Sequence, residues 1–454
     1  MTNEPMEIRV AGADSALPDE LKKFFERGGS SLLIKGSAGS GKTTLALTLL
    51  RALDVTENFL YASTREAPIQ FIRDNAWLAE RYGGQIRANS KQKQIEDPDS
   101  ALLDGFVDAR LDEPTQLFER ITGKLMDSNS PFIIIDTWDA MLDFAERKAL
   151  RTNARVLQTW AERAGATLVF TMEDTRNEAL DSLVEGIVLL KQKNVGSRRL
   201  RELAITKLSG VKIENPSYFF TLNGAEFRSF AHYHPEDLAI APNLANSRAP
   251  RGTTPESPGS FPMGYPELDI ALGGGIPAGS VLSIEVGSEV NMRIPFLLLR
   301  QIISSFASPD RQVRIFPIRG LDSEFVSEFL RVSVPRSCMK YVSLPESPQA
   351  GMSEKFAPGT AVLSVLNFHG SEEESLRHFS GLAGSSKGVT VFLGKEWKSE
   401  EAVGSVSAIS KSHLKITYND GTLFLQSKTP FSQFLGVTVR RRLGIRAVAL
   451  EPMV

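Results

Sequence analysis

Short apolar runs alternate with longer amphipathic stretches along the first half of the chain. Four runs, at positions 31–36, 58–63, 131–136 and 166–171, predict strands that are buried on both faces. Between them, apolar residues recur at helical spacing over 43–53, 68–82 and 153–165. This repeated order of strand, helix and strand predicts an α/β fold, with a mostly parallel sheet that is covered by helices on both faces.

The second half repeats the same pattern after a proline-rich segment. Apolar runs at 280–288, 314–320, 360–368 and 388–394 predict another set of buried strands. The segment from Pro235 to Pro262 holds six prolines and shows no apolar periodicity, which is typical of a linker. We therefore predict two tandem domains of one architecture, 1–234 and 263–454, joined by a linker at 235–262.

Composition limits the classes of protein to which the chain can belong. It has 454 residues, one cysteine and a formal net charge of -2. The lone cysteine cannot form a disulfide within the chain, and the N-terminus lacks the basic and apolar regions of a signal peptide. No apolar stretch is long enough to span a bilayer. We predict a cytoplasmic protein with no membrane partner, and the balanced charge does not favour a uniformly basic nucleic-acid binder.

A phosphate-binding loop, or Walker A motif, lies between the first predicted strand and the first predicted helix. Residues 36–43 read GSAGSGKT and fit the pattern G-x-x-x-x-G-K-[ST] at every fixed position. Glycines let the backbone wrap a phosphate, Lys42 can reach the β and γ phosphates, and the Thr43 hydroxyl can ligate Mg²⁺. We interpret Thr44 mainly as ordinary helix but keep it in the predicted binding set. That set for ATP is Gly36, Ser37, Ala38, Gly39, Ser40, Gly41, Lys42, Thr43 and Thr44.

Two carboxylates follow buried strands and complete the predicted site. Asp136 ends the run 132–135, and ligands of open α/β sheets bind at the carboxyl ends of strands, so we predict a Walker B residue that holds Mg²⁺ with Thr43. Glu66 follows the second strand and could polarise the water that attacks the γ-phosphate. The alternatives are a strand-terminating aspartate that caps a turn and a solvated loop glutamate.

The order of Walker A loop, glutamate and Walker B strand resembles the RecA/KaiC-like ATPases. Residues 198–210 resemble the closing strands of a KaiC domain, and residues 263–280 resemble the entry to a second one. The resemblance implies two tandem RecA-like P-loop domains and assigns Lys207 to the active site of a neighbouring copy. KaiC domains usually carry two adjacent glutamates, where this chain has Arg65 and Glu66. The Lys-Leu-Arg-Gly stretch of KaiC domains reads Lys-Leu-Ser-Gly here, so Lys207 is kept and Ser209 replaces the arginine. We therefore expect slow or partner-stimulated hydrolysis.

The second predicted domain has lost these chemical groups. Where its phosphate loop should lie, Met292 takes a glycine position, Arg293 takes the lysine position and Ile294 offers no hydroxyl to a metal. Its matching strand ends at Asn367, without a carboxylate. We predict a degenerate domain with a structural or regulatory role, and an ATPase that works only in the N-terminal domain.

One competent loop, two arginine-rich stretches (198–201 and 440–446) and a degraded second half resemble the archaeal gas vesicle protein D regulators. The expected role of Lys207 in a neighbouring copy implies a homo-oligomer, from dimer to hexamer. The resemblance to these regulators implies a regulatory ATPase that binds a regulatory protein partner and acts in transcriptional regulation. The first alternative is a RecA-type DNA-dependent ATPase of recombination or repair, with nucleic acid as the partner. The second is a nucleotide-binding scaffold without turnover, and the third is KaiC-like autophosphorylation, which the degraded second domain disfavours.

Overall fold

The protein is described here by a computed structural model, which covers residues 17–82, 105–110, 112–142, 147–234, 259–346, 360–367, 387–395, 408–442 and 445–454. Its contacts divide the chain into two units. The first comprises 1–230 with 453–454, and the second comprises 231–452. Each unit has its own sheet and its own hydrophobic core.

The first unit is built on a nine-stranded sheet. In chain order its strands are β1 (Ser31–Gly36), β2 (Phe59–Ser63), β3 (Phe106–Asp108), β4 (Phe132–Asp136), β5 (Thr167–Met172), β6 (Gly186–Val195), β7 (Arg198–Leu208), β8 (Ser217–Thr221) and β9 (Arg228–Ser229). Across the sheet the order is β3-β2-β4-β5-β1-β6-β7-β8-β9. Pairs from β3 to β6 are parallel, and those from β6 to β9 are antiparallel.

Helices cover both faces of this sheet, as the sequence predicts. They are α1 (Asp19–Phe25), α2 (Lys42–Ala52), α3 (Pro68–Asp74), α4 (Pro114–Asp127), α5 (Asp139–Leu142) and α6 (Arg147–Ala164). Alternate side chains of β1 belong to two separate cores, since Leu32 and Ile34 pack in one and Leu33 packs in the other. Strands that are buried on both faces are apolar over most of their length, which explains the apolar runs in the sequence.

The large sheet of the second unit repeats the strand order of the first. The unit comprises β10 (Ser260–Phe261), β11 (Ile276–Pro277), β12 (Ser280–Val286), β13 (Arg311–Ile315), β14 (Val342–Ser343), β15 (Ala361–Asn367), β16 (Val389–Lys395), β17 (Ser412–Asn419), β18 (Thr422–Thr429), β19 (Leu435–Arg442) and β20 (Ile445–Pro452). Its large sheet has the order β14-β13-β15-β16-β12-β17-β18-β19-β20, with β10 and β11 forming a separate pair. Its helices are α7 (Pro266–Ala271), α8 (Arg293–Leu298), α9 (Arg300–Phe306) and α10 (Ser323–Ser333). The predicted α/β class with two mostly parallel sheets is confirmed.

Some details differ from the sequence-based expectations. The helix predicted over 68–82 is interrupted at Asn75, whose backbone is extended. Residues 231–234 group with the second unit, where the Tyr233 amide donates to the Gly421 carbonyl at 2.7 Å. Most of the predicted linker lies outside the described residues. Its last four positions are described, and they contain β10, which pairs with β11.

No helix in the described part of the chain is both long and apolar enough to cross a membrane.

Candidate functional site

Six of the nine residues predicted to bind the nucleotide line a pocket at the carboxyl edge of the first sheet, whereas Gly36, Ser37 and Ser40 are not part of its lining. Strand β1 ends at Gly36, and α2 begins at Lys42 after a loop in which Gly39 and Gly41 have φ angles of +70° and +101°. Such angles strain any residue with a Cβ atom, which explains the glycines. The pocket has a volume of about 480 Å³. Its walls are formed by Ala38, Gly39, Gly41, Lys42, Thr43, Thr44, Leu47, Ser63, Arg65, Glu66, Phe71, Asn75, Asp136, Thr137, Glu173 and Leu222.

The start of α2 suits an anion such as a phosphate. Gly41 offers no side chain to cap the helix, and the first turn contains no acidic residue. Backbone N–H groups at an uncapped helix N-terminus carry partial positive charge, which attracts phosphate. Lys42 adds a full charge from a side chain that is almost completely buried, and its Nζ donates to the Ser37 carbonyl at 3.0 Å. Burial lowers the pKa of Lys42, and Glu173 and Asp136 partly oppose that shift.

Thr43 and Asp136 meet at the floor of the pocket. The Thr43 hydroxyl donates to Asp136 Oδ2 at 2.7 Å, because β4 delivers Asp136 to the same edge of the sheet as the loop after β1. Mg²⁺ takes oxygen ligands, so this hydroxyl and carboxylate could both serve it, and phosphate oxygens and water would complete its shell. These two residues therefore fit the metal that usually accompanies a nucleotide in such a site.

Two further hydroxyl groups donate hydrogen bonds to the Asp136 carboxylate. The buried Tyr61 hydroxyl donates to Oδ2 at 2.6 Å, and the Thr171 hydroxyl donates to Oδ1. Burial and the neighbouring Asp136 raise the pKa of Tyr61 well above its ordinary value, so Tyr61 remains a proton donor at neutral pH.

Glu66 lies at the rim of the same pocket. Its side chain is exposed, and its backbone carbonyl accepts a hydrogen bond from the Ser63 hydroxyl at 2.6 Å, which fixes the turn after β2. The structure thus brings Glu66 into one pocket with Lys42, Thr43 and Asp136. A water-activating role for Glu66 stays a prediction.

Lys207 lies elsewhere in the unit. Lys207 pairs with Ile187, which comes earlier on β6 than Leu190. Because Leu190 pairs with Gly36 at the start of the phosphate loop, Lys207 lies away from the loop, toward the amino end of β1. Its Nζ donates to the carbonyls of Val184 at 2.6 Å and Asp181 at 3.2 Å. Action on the nucleotide of a neighbouring copy would require Lys207 to give up these two bonds.

The structure adds two residues that the sequence-based reasoning did not select. Arg65 and Glu173 both line the pocket, and their side chains form an ion pair at 2.5 Å. Glu173 was detectable by the argument that selects Asp136, because it directly follows β5, the strand next to β4. Arg65 carried no comparable signal, since it lies in a polar loop.

The hairpin of β6 and β7 supports the phosphate loop from the side. Arg201 Nη1 donates to the Gly39 carbonyl at 2.8 Å, and Gln192 Nε2 donates to the Ala38 carbonyl at 3.3 Å. Arg201 is buried, and its Nε also donates to the carbonyl of Val454, which groups with the first unit. Burial, together with Arg199, lowers the pKa of Arg201.

The second unit has no comparable arrangement at the corresponding loop. Val290, Met292 and Ile294 are buried in its core, so the loop is filled by its own side chains. Arg293 Nη2 pairs with Asp322 at 3.2 Å, and the guanidinium lies 4.6 Å from the centroid of the Phe325 ring. The groups that would bind phosphate are replaced by packing contacts.

Fold and site together define an α/β P-loop protein, a class that binds nucleotides through this loop. Residues 21–206 match the family described as "GvpD gas vesicle protein, P-loop domain". Two curated relatives come from Halobacterium salinarum. Protein GvpD1 is 27% identical over 320 residues, and Protein GvpD2 is 24% identical over 310 residues. Each alignment covers 66% of this chain, but only 56% of GvpD1 and 61% of GvpD2. The first part of the chain is thus similar to the P-loop domain of the GvpD proteins.

Proposed function

We propose that the first unit binds ATP with Mg²⁺ and hydrolyses it slowly, and that its nucleotide state regulates gas vesicle formation. The observation that carries this proposal is the hydrogen bond between Thr43 and Asp136 at the N-terminus of α2. It supports a metal-assisted phosphate site, while the names of the relatives support the gas vesicle context. The nucleotide state would act through assembly into a homo-oligomer or through binding to a regulatory protein, and at the level of transcription.

In this scheme each residue has a defined task. The loop amides and Lys42 bind the phosphates, and Thr43 and Asp136 hold Mg²⁺. Glu66 accepts a proton from, or orients, the attacking water. Slow turnover is expected because Glu66 is exposed at the rim and Lys207 is bonded to carbonyls of its own chain.

The test measures nucleotide binding, turnover and oligomeric mass in the wild type and in three variants. Lys42→Ala should abolish ATP binding, whereas Glu66→Gln should bind ATP but lose turnover. Lys207→Ala should keep binding and lose turnover only in assembled protein. A wild type that binds ATP without turnover, and that Glu66→Gln does not alter, would instead favour the scaffold.

A RecA-type DNA-dependent ATPase remains the alternative function. The same assay with added DNA separates the two, because that class predicts DNA-stimulated hydrolysis and binding that weakens with rising salt. Turnover that is unchanged by DNA is the expected result.

A further inference from the structure

Glu173 is held in a fixed position beside the phosphate loop. It follows the last residue of β5, and its backbone N–H donates to Asp139 Oδ2 at 2.5 Å. The same carboxylate oxygen accepts the Thr137 hydroxyl at 2.9 Å, so Asp139 ties together the connections that follow β4 and β5. These bonds therefore fix the backbone position from which the Glu173 side chain extends.

The Glu173 carboxylate lies between the two cations of the pocket. One oxygen is 3.8 Å from Lys42 Nζ, and the other is 2.5 Å from Arg65 Nη1. The hydrogen bond to Glu173 is the main reason why the pKa of Arg65 is raised. The Glu173 side chain is only 28% exposed, so these charges are less screened than those of an open surface pair.

A bound triphosphate would bring a second anion to the same two cations. The lysine of a P-loop normally contacts the β and γ phosphates, so the third phosphate would approach Lys42. Arg65 is the other cationic side chain among the residues that line the pocket. A carboxylate and a γ-phosphate that share these cations repel each other, since like charges in a partly buried site disfavour one another.

We propose that Glu173 competes with the third phosphate of the nucleotide for Lys42 and Arg65, and so sets the preference of the site between di- and triphosphate. A diphosphate leaves the pair of Glu173 and Arg65 intact. A triphosphate must displace Glu173, and it then gains Arg65 as a partner. The inference deepens the proposed function and rests on it, because it requires that the pocket bind a nucleotide.

This competition gives the site a way to register which nucleotide is bound. The backbone N–H of Glu173 is bonded to Asp139, and the two residues follow the adjacent strands β5 and β4. Release of the Glu173 side chain would therefore occur beside the connection that follows the Walker B strand. The competition also predicts a weaker triphosphate affinity than the loop alone would give, because part of the binding energy goes into breaking the ion pair.

The test compares the dissociation constants of MgADP and of a non-hydrolysable Mg–ATP analogue by titration calorimetry on the full chain. Glu173→Gln should tighten binding of the triphosphate analogue roughly tenfold and that of MgADP less than about twofold, because only the triphosphate competes with the carboxylate. Glu178→Gln is the matched control, since it removes the same charge from an exposed position five residues further on, outside the pocket lining, and should change neither constant.

Two further variants test the ion pair of Glu173 and Arg65, one at each partner. Glu173→Asp keeps the charge and should give a ratio of the two constants closer to the wild type than to Glu173→Gln. Arg65→Gln should weaken the triphosphate analogue several-fold and MgADP little, and it decides the matter if Glu173→Gln does not fold.

The outcomes separate the inference from the function on which it rests. Equal changes for the two nucleotides, or a weaker triphosphate in Glu173→Gln, would overturn the inference while Lys42-dependent binding left the proposed function standing. If folded wild-type protein binds neither nucleotide, the proposed function fails and the inference falls with it.

Discussion

Three hydroxyl groups converge on the carboxylate of Asp136. Thr43 and Tyr61 donate to one of its oxygens, and Thr171 donates to the other. A buried carboxylate needs such partners, because an unpaired charge in the interior is costly. The same bonds aim the carboxylate at the pocket before any metal arrives, and pre-orientation of ligands strengthens a metal site.

Tyr61→Phe should lower the free energy of unfolding by about 1.5–3 kcal/mol, since it removes a buried hydrogen bond to a charged group. Tyr82→Phe provides the control. Its hydroxyl donates to the neutral Val55 carbonyl at 2.7 Å, and the same change there should cost about 0.5–1.5 kcal/mol. Urea unfolding of both variants checks the order, and an equal or larger loss in Tyr82→Phe would contradict a charged partner for Tyr61.

At this scale, sequence predicts the residues whose type and spacing chemistry dictates. Thr43 follows from the loop pattern and Asp136 from its place after an apolar strand. Tyr61 and Thr171 could not be selected, because each lies inside a strand where it is indistinguishable from an ordinary β-forming residue. Only the register of neighbouring strands brings them to the carboxylate.

The hairpin of β6 and β7 is the element that stiffens the phosphate loop. The hairpin reaches past the end of β1, since Leu190 is level with Gly36 and the strand continues to Val195. Arg201 and Gln192 bond loop carbonyls from this extension. A loop whose carbonyls are held in place keeps its N–H groups oriented for phosphate, at no further ordering cost on binding.

Arg201→Met should weaken ATP binding roughly threefold to tenfold without abolishing it, because the loop loses a support rather than a phosphate ligand. Methionine keeps much of the apolar stem, which limits the loss of packing. Arg199→Met removes the same charge from an exposed position on the same hairpin and should leave the affinity nearly unchanged. Equal weakening in the two variants would point to long-range charge instead of the bond to Gly39.

The corresponding loop of the second unit is stabilised by apolar packing. Met292 is buried and packs against Gly320, where a Cβ atom would come within 3.2 Å of the Met292 side chain. Sequence alone shows that this loop lacks the residues for nucleotide binding. That its side chains fill the core follows only from the structure, because burial depends on the elements that pack against the loop.

Met292→Ala should cost about 2–5 kcal/mol of unfolding free energy and should not create nucleotide binding, since it leaves a cavity in a packed core. Ser288→Ala, at an exposed position of the same loop, should change stability by less than about 0.5 kcal/mol. Chemical denaturation measures both values. A gain of a second nucleotide per chain in Met292→Ala would show that the loop retains a latent site.

At the scale of the whole molecule, the two sheets have the same strand order and the same change from parallel to antiparallel pairing. The alternating pattern predicts the parallel part, because helices must separate parallel strands. The interruption at Asn75 and the extent of the antiparallel edge depend on tertiary contacts, which periodicity does not record. The same topology carries a phosphate-binding loop in the first unit and a loop packed by apolar side chains in the second. The fold therefore tolerates either kind of loop at this position.

In the second unit, a buried carboxylate on β12 lies within a cluster of basic side chains. Glu285 is buried and lies 2.6 Å from Lys415 Nζ, 3.0 Å from Lys428 Nζ and 3.4 Å from His413 Nε2. Burial alone would raise the pKa of Glu285, but the nearby His413 and the hydrogen bonds from Lys415 and Lys428 outweigh it and hold that pKa well below its usual range. Such a carboxylate stabilises the folded unit above the pKa of the unfolded chain, about 4.3, and this contribution is lost as the pH falls toward the folded pKa.

We therefore expect the second unit to lose stability as the pH falls below about 4, and Glu285→Gln to flatten that part of the pH dependence. At neutral pH the variant should be less stable than the wild type, because Lys415 and Lys428 lose their buried partner. Limited proteolysis in urea between about pH 7 and about pH 3 identifies the unit that opens. Glu289→Gln, an exposed carboxylate close by on the chain, should keep the wild-type profile. If the acid sensitivity persisted in Glu285→Gln, it would have to come from other carboxylates, and the cluster on β12 would not be its source.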